Sequence, residues 1–331
     1  MSAPSAPLAV VTGASGFVGS HIVDELIRRG ARVRCLVRER SPRRWLEGKP
    51  VEIVVAPLTD PKRTAAALDG ADWIVHAAGR TSASTAKEFH EANVKGTETI
   101  LRAAVEACPR LRRFLLVSSQ AASGPSPDGR PVAENQLPQP VSSYGESKLR
   151  AEKLTMLLRD RLPVVAVRPP GVYGPRDTAF YRAFVAVKRH VLPVLRTGGR
   201  FSIIHAQDLA VASWLLLTDD RAVGEIFFAS APDVTDYEEF GAFLKEAMGT
   251  WAVRFTPPGF ALAAGALLAE VVSGITGRPP YLSREKLREI SAGDWICTSA
   301  KLRSRLGWEP AIPLREGVRA TAAWYRESGW L

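Results

Sequence analysis

Tyr144 and Lys148 stand four residues apart in the stretch Tyr144-Gly145-Glu146-Ser147-Lys148, and positions i and i+4 share one face of a helix. A free phenol titrates near ~10, too high to exchange protons at neutral pH, and a neighbouring ammonium favours the phenolate. The pair is therefore a candidate general acid/base. Ser142-Ser143 before it and Leu149, Ala151, Leu154, Leu157 and Leu158 after it suit a capped helix with one apolar stripe. Taken alone the pair is a weak signal, because the same spacing arises on ordinary solvated helix faces.

Context comes from Thr12-Gly13-Ala14-Ser15-Gly16-Phe17-Val18-Gly19, far upstream. The apolar run Leu8-Ala9-Val10-Val11 leads into these glycines, and Val18, Ile22 and Leu26, with Val23 and Ile27, recur at helical spacing beyond them. The pattern reads as strand, tight turn, helix. Glycines at 13, 16 and 19 let the backbone approach a pyrophosphate, and the helix offers its free N–H groups and dipole to the negative charge.

With both motifs in view, the chain resembles the extended short-chain dehydrogenase/reductases, the family of nucleotide-sugar epimerases, dihydroflavonol reductases and 3β-hydroxysteroid dehydrogenases. The pattern is nearest to the last two branches, and the resemblance runs from about Leu8 to Leu331. It implies an α/β fold, a Rossmann-type doubly wound parallel sheet with a smaller interleaved C-terminal substrate domain. The expected division is residues 1–170 plus 203–231 for the dinucleotide and 171–202 plus 232–331 for the substrate. It also implies that Ser119, five residues before Gly124, is the active serine rather than Ser118. In that scheme Tyr144 exchanges the hydroxyl proton, Lys148 lowers its pKa and binds the nicotinamide ribose, and Ser119 polarises the reacting oxygen.

The expected cofactor contacts are Gly13, Ser15, Gly16, Phe17, Val18 and Gly19 in the first turn, then Ala77, Ala78 and Gly79 after a strand over 72–77. Asn93 in Asn93-Val94-Lys95-Gly96-Thr97 is implied to brace the backbone nearby, on a helix expected over 83–107. Pro169, Gly171 and Val172 lie in the segment implied to touch nicotinamide, and Lys148 completes the set. His76 is expected to be packed rather than catalytic. Arg38 ends the second strand, where an aspartate would accept from both ribose hydroxyls and repel a 2′-phosphate. A guanidinium there can pair with that phosphate, so NADP(H) is favoured over NAD(H), with Arg40, Arg43 and Arg44 adding positive charge. Pro57 replaces an aspartate that holds adenine in many relatives, which leaves the backbone or Leu58 to make that contact.

The candidate substrate residues are Arg80, Gln120, Tyr173 and Phe201. Gln120-Ala121 stands where the sugar-nucleotide dehydratases carry an Asp-Glu pair, so water removal lacks its acid and base. Phe201 stands where nucleotide-sugar enzymes place an arginine on the diphosphate, while Arg200 faces the other side of an extended segment. The reading is an NAD(P)-dependent oxidoreductase interconverting a secondary alcohol and a ketone on a hydrophobic substrate, steroid-like, polyketide-like or aromatic. Two rivals are a nucleotide-sugar 4-epimerase with retained cofactor and a non-catalytic cofactor-sensing protein. Retention of Ser119, Tyr144 and Lys148 speaks against the sensor.

The remaining features set the surroundings. The chain has 331 residues, 46% of them apolar, and a formal net charge of +10. Its basic residues are scattered, so no nucleic-acid partner is expected. Cys35, Cys108 and Cys297 are odd in number and far apart, which speaks against a disulfide framework and against a metal site. Residues 1–7 lack the basic region of a cleavable signal, and the expected compartment is the cytoplasm. Residues 259–275 are apolar but for Glu270, shorter than the ~20 residues of a spanning helix. They are expected to form a buried or lid helix, with peripheral membrane contact as the alternative. The resemblance also implies a homodimer paired through helices near 85–107 and 143–160.

Overall fold

The computed structural model describes residues 6–194, 199–276, 280 and 283–331. The first half alternates strand and helix: β1 (Leu8–Thr12), α1 (Phe17–Arg28), β2 (Arg32–Val37), β3 (Val51–Val55), α2 (Pro61–Ala67) and β4 (Trp73–His76). There follow α3 (Ala86–Phe89), a π-helical turn (His90–Lys95), α4 (Gly96–Ala107), β5 (Arg113–Val117), α5 (Ser143–Met156) and β6 (Val164–Arg168). The second half holds β7 (Gly171–Tyr173), α6 (Tyr181–Lys188), β8 (Val191–Pro193), β9 (Phe201–His205), α7 (Ala206–Thr218), β10 (Ile226–Phe228) and β11 (Val234–Thr235). It ends with α8 (Tyr237–Met248), β12 (Val253–Phe255), α9 (Gly259–Thr276), α10 (Arg284–Ser291), α11 (Ala300–Leu306) and α12 (Leu314–Glu327).

Seven strands form one parallel sheet in the order β10-β6-β5-β4-β1-β2-β3. Successive side chains of a strand point to opposite faces, and a parallel sheet is covered on both. Ala9 and Val11 of β1 and Val75 of β4 accordingly meet Ile22, Val23 and Leu26 of α1 and Leu209 and Leu216 of α7. Val10 and Ile74, one residue away, meet Leu68, Ile100, Leu101 and Ala104 on the other face. The chain leaves β3 at one edge and re-enters as β4 on the far side of β1. That reversal opens a crevice at the carboxyl ends of β1 and β4, where open α/β sheets hold their ligands.

A three-stranded sheet, β11-β9-β7, and a two-stranded ribbon, β12-β8, make up the smaller part. Its core gathers Tyr173, Phe184, Leu244, Val318 and Tyr325. The two parts interlock, because Leu302, Leu306 and Trp308 from the C-terminal region pack into the core of the large sheet. Asp208 at the start of α7 accepts from the backbone N–H groups of Ala311 (3.0 Å) and Ile312 (3.2 Å) and pins that return.

Three local expectations are corrected. The helix expected over 83–107 begins at Ala86 and is interrupted by the π-helical turn at His90–Lys95. The stripe expected on α5 holds only in part: Ala151 is buried and Leu154 and Leu158 pack on the core, but the other buried positions are Gly145, Ser147, Lys148, Glu152 and Thr155, and Leu157 is 76% exposed. Small residues win that face because α5 lies hard against the turn at 120–122, where a Cβ on Gly145 would come within 2.3 Å of the Ala121 carbonyl oxygen. Finally, α9 is not buried, since Phe260, Leu268 and Ile275 are 78%, 65% and 81% exposed.

Candidate active site

The crevice starts at the glycine turn. Gly13 has φ of +70°, and a Cβ there would lie 2.6 Å from the Ala77 carbonyl carbon; at Gly19 it would lie 2.2 Å from the Gly13 carbonyl oxygen. Both positions exclude a side chain, which draws β1, α1 and the Ala77-Ala78 backbone together. Gly16 is the exposed N-cap of α1 and provides no side-chain cap, and the first turn holds no acidic residue. The free N–H groups there suit an anion. Ser15, Phe17 and Val18 are half-buried around them, with Phe17 edge-on to His21 at 5.5 Å.

Arg38 follows β2 directly and is exposed. With Glu39, Arg40, Val55, Pro57 and Arg63 it bounds a cleft of about 490 Å³. Arg63 lies 3.4 Å from Asp60, whereas no ion pair engages Arg38 or Arg40 among the described residues. Leu58 sits nearby, 3.4 Å from where a Cβ on Gly96 would be. The positive charge at this end suits an anionic ligand.

The π-helical turn aims Asn93 inward, the use to which such turns are often put at functional sites. Its Oδ1 accepts from the Arg80 N–H at 2.7 Å, and its Nδ2 donates to the Arg80 carbonyl at 3.0 Å and to Ser147 Oγ at 2.8 Å. Buried Asn93 thus ties the Ala77-Ala78-Gly79-Arg80 loop to α5. The Arg80 guanidinium is committed to Glu88 at 2.5 Å. His76 is packed, between Thr12 Oγ1 (2.7 Å) and Thr97 Oγ1 (3.0 Å), and burial holds it neutral with a pKa lowered to about 3.

Ser119, Tyr144 and Lys148 converge beyond this loop. Tyr144 is half-buried, packs against Phe89 at 5.8 Å and shares a hydrogen bond with the Ser119 side chain. Burial pushes its pKa up to about 12, against a smaller lowering by Ser119. Lys148 is buried and donates to the Val117 carbonyl at 2.7 Å; burial lowers its pKa to about 8. The expectation that Lys148 pulls the phenol toward ionisation is therefore corrected. Desolvation raises the phenol, and the group that opposes it is Ser119 rather than Lys148, so Tyr144 keeps its proton at neutral pH.

Helix α5, which carries both groups, is fixed at several points. Ser142 Oγ accepts from the Gly145 N–H at 3.1 Å and donates to Glu289 Oε1 at 2.5 Å, while the Ser143 N–H donates to the Glu285 carboxylate. Both carboxylates come from α10. Glu152 and Arg168 form a fully buried two-pronged pair (2.9 and 2.5 Å) that joins α5 to β6. Sequence reasoning missed Glu285 and Glu289, since nothing local relates α10 to a helix more than a hundred residues earlier.

The remaining candidates are scattered around the crevice. Gln120 is buried, its N–H donates to the Pro169 carbonyl at 2.8 Å, and its side-chain nitrogen has no partner among the described residues. Gly171 and Val172 are half-buried in β7, with a Cβ at Gly171 coming 3.3 Å from the Phe180 ring. Tyr173 is corrected as a substrate residue: it is 1% exposed and its hydroxyl points at the Leu314 carbonyl (3.5 Å), inside the core of the smaller part. Phe201 is half-buried against Tyr237 and Phe240, at 5.2 and 6.1 Å. Arg200 is turned away and pairs with Asp294 at 2.6 Å.

An anion cradle at the carboxyl ends of a parallel sheet, leading to a Ser-Tyr-Lys cluster, defines an oxidoreductase of the short-chain dehydrogenase/reductase type that uses a nicotinamide cofactor. Residues 9–228 match the NAD dependent epimerase/dehydratase family, and the chain belongs to it. It is 32% identical to the ceramide reductase of Caulobacter vibrioides, with 100% of this chain and 98% of that protein covered. It is likewise 32% identical to the 4-hydroxy-2-methyl-3-oxo-4-farnesyl-3,4-dihydroquinoline-1-oxide ketoreductase of Stigmatella aurantiaca, over 94% of both chains. Among solved structures, the UDP-glucose 4-epimerase of Thermotoga maritima with UDP-glucose superposes with a TM-score of 0.79 at 21% identity, covering 97% of this chain and 99% of that one. That last likeness is one of fold.

Proposed function

We propose that the protein interconverts a ketone and a secondary alcohol on a hydrophobic substrate, with NADP(H) preferred over NAD(H). The observation that carries this reading is the Tyr144 hydroxyl hydrogen-bonded to Ser119, on the same helix as buried Lys148, whose amine is held on the Val117 carbonyl at 2.7 Å. A bound nicotinamide supplies or accepts the hydride at the carbinol carbon. Tyr144 gives its proton to the carbonyl oxygen in reduction and recovers one in oxidation. Ser119 donates to the same oxygen as charge develops on it. Lys148 holds positive charge near the phenol and is placed for a ribose hydroxyl, while Asn93 keeps the Gly79-Arg80 backbone in position. The cradle at Gly13, Gly16 and Gly19 would hold the pyrophosphate, and Arg38 with Arg40 the additional phosphate.

The apolar substrate class rests on Phe201 packed among Tyr237 and Phe240 in place of a diphosphate-binding cation, and on relatives whose names are those of a ceramide reductase and a farnesylated-quinoline ketoreductase. An apolar pocket gains about 25 cal/mol per Å² of ligand surface buried, yet it cannot compensate a desolvated diphosphate. The test is a panel of steroids, bicyclic ketones, long-chain keto lipids and a UDP-sugar, assayed with NADPH and NADH on the wild type, Tyr144→Phe and Arg38→Ala. Tyr144→Phe should lose ~10²-fold or more in turnover with cofactor affinity little changed, and Arg38→Ala should erase the NADPH preference. Epimer formation from the UDP-sugar without net cofactor consumption would overturn the reading, and turnover by Tyr144→Phe within about two-fold of wild type would remove the proton donor.

A further inference from the structure

The first turn of α5 carries the Tyr144 phenol, and what holds that turn comes from a distant part of the chain. Ser142 is the N-cap, and its Oγ accepts from the Gly145 N–H at 3.1 Å. A hydroxyl that accepts still has a proton to give. Ser142 gives it to Glu289 Oε1 at 2.5 Å, and both residues are buried. The Ser143 N–H, one of the donors that a helix start leaves without an intrahelical partner, goes to the Glu285 carboxylate. Two acidic side chains of α10 thus meet the positive end of α5, where negative charge is favoured.

Glu289 is itself held in place. Its Oε2 accepts from Lys286 Nζ at 2.7 Å, and its backbone carbonyl accepts from the Trp295 indole N–H at 2.8 Å. Trp295 in turn is joined to β9 through its backbone: its N–H donates to the Arg200 carbonyl at 2.7 Å, and its carbonyl accepts from the Ser202 N–H at 2.9 Å. Phe201, between those two positions, is the aromatic residue on which the apolar substrate class rests. A run of covalent and hydrogen bonds therefore joins the strand of Phe201 to the helix of Tyr144 through Trp295, Glu289 and Ser142.

Two details tie this run to the phenol itself. On its other side the same turn of α5 meets the turn at 120–122, where the close approach at Gly145 leaves no room for even a Cβ, so it is gripped between that turn and α10. The Glu152–Arg168 pair holds α5 only farther along. The charge of Glu289 also acts on Tyr144: burial is the main cause that keeps the phenol protonated, and Glu289 adds to it. The carboxylate that bonds to the cap thus lies within electrostatic reach of the proton donor.

We propose that Glu289, bonded to Ser142, is a positioning residue for Tyr144: it sets where the first turn of α5 presents the phenol to the carbonyl oxygen. It acts through Ser142 and not on the substrate. The inference rests on the reading above in which Tyr144 is the proton donor. Misplacing a reacting group by ~1 Å can cost ~10²-fold in rate, so a cap that fixes this turn bears directly on turnover. Glu289→Ala leaves the Ser142 hydroxyl without its acceptor, whereas Glu289→Gln keeps an oxygen for it.

The full chain is assayed for reduction of trans-decalone, a bicyclic ketone, with NADPH. Rates are expressed per cofactor site counted by NADPH fluorescence titration, so that loss of folded protein does not enter. Glu289→Ala should lose about ten-fold or more in kcat, with KM for the ketone and Kd for NADPH within about two-fold of wild type. Glu289→Gln should recover most of that loss. Ser142→Ala should lose a similar amount, and Ser142→Ala/Glu289→Ala no more than either alone, because one residue acts through the other. A kcat for Glu289→Ala within about two-fold of wild type overturns the proposal. So does a Glu289→Gln as slow as Glu289→Ala, and so do losses that multiply in the double variant. If Glu289→Ala binds no NADPH, Ser142→Ala decides, since it leaves α10 unaltered: a wild-type kcat there overturns the proposal. Tyr144→Phe, run beside them, separates two failures. Full activity in that variant removes the proton donor of the preceding reading, whereas an inactive Tyr144→Phe with a fully active Glu289→Ala removes the positioning role alone.

Discussion

Lys148 sets the pH behaviour expected of the proposed site. Its ammonium is buried against the Val117 carbonyl, and burial lowers its pKa from the ordinary lysine value to about 8, so the charge is present below that pH and lost above it. Tyr144, raised to about 12, keeps its proton throughout the neutral range. Reduction of a ketone needs both the phenolic proton and the charge beside it. The rate of reduction at saturating cofactor should therefore stay level from about pH 6 to 7.5 and fall about ten-fold per unit above pH 8. A rate level to pH 10 would show that Lys148 does not act through its charge. Ser119 came only from the resemblance to the short-chain family, whereas the Tyr144–Lys148 pair was legible from its helical spacing. The sign of the Tyr144 shift was not, since it depends on how far Phe89 and the surrounding elements desolvate the ring. Tyr173 was misjudged for a related reason: a position beside the nicotinamide segment does not reveal which way a side chain in β7 points.

At the scale of elements, α5 is held by polar contacts more than by an apolar stripe, and the Glu152–Arg168 pair is the deepest of them, at 2% exposure on both sides. Removing one member leaves a buried charge uncompensated, which typically costs 3–5 kcal/mol, roughly, whereas replacing both with apolar groups can be close to neutral. Glu152→Ala should thus lower stability by about 3–5 kcal/mol, and Glu152→Leu/Arg168→Met should recover most of that loss in chemical denaturation. Equal destabilisation by the single and double variants would mean that packing, not the unpaired charge, decides the site. The sequence showed the helix and its serine cap, and Ser142 does accept from the Gly145 N–H. It did not show that small and paired polar residues would take the buried face, because periodicity counts apolar residues and is blind to a carboxylate satisfied by a distant strand. The same blindness acts in reverse at α9. A run of apolar residues reads as buried, yet burial needs a partner surface, and the chain provides one only for the inner side of that helix.

For the molecule as a whole, the parallel sheet and its crevice followed from alternating patterns and the glycine turn, while the interlocking of the two parts rests on long-range contacts such as Asp208 with Ala311 and Ile312. That interlocked structure holds three imidazoles, His76 and His205 buried and His21 half-buried, whose combined titration should govern acid stability. Burial lowers the pKa of His21 to about 4, of His76 to about 3 and of His205 to about 4. In the unfolded chain each returns to the ordinary value near ~6.5. Between that value and the folded ones the unfolded state binds more protons, so stability is fully present above pH ~6.5 and falls as the pH drops. Asp177, raised to about 6 by burial, and Asp208, also raised by burial, act in the opposite direction, because their folded forms take up protons first. Three groups titrating over the wider interval outweigh two. The melting midpoint should therefore decline steadily from pH 7 to 5. In His76→Gln the midpoint at pH 7.5 should be lower, for loss of the bonds to Thr12 and Thr97, but the decline shallower, because one of the three protons no longer distinguishes the two states. Calorimetric scans of both proteins at half-unit pH steps check this, and a midpoint that rises toward pH 5 would show that the aspartates, not the histidines, set the acid limb.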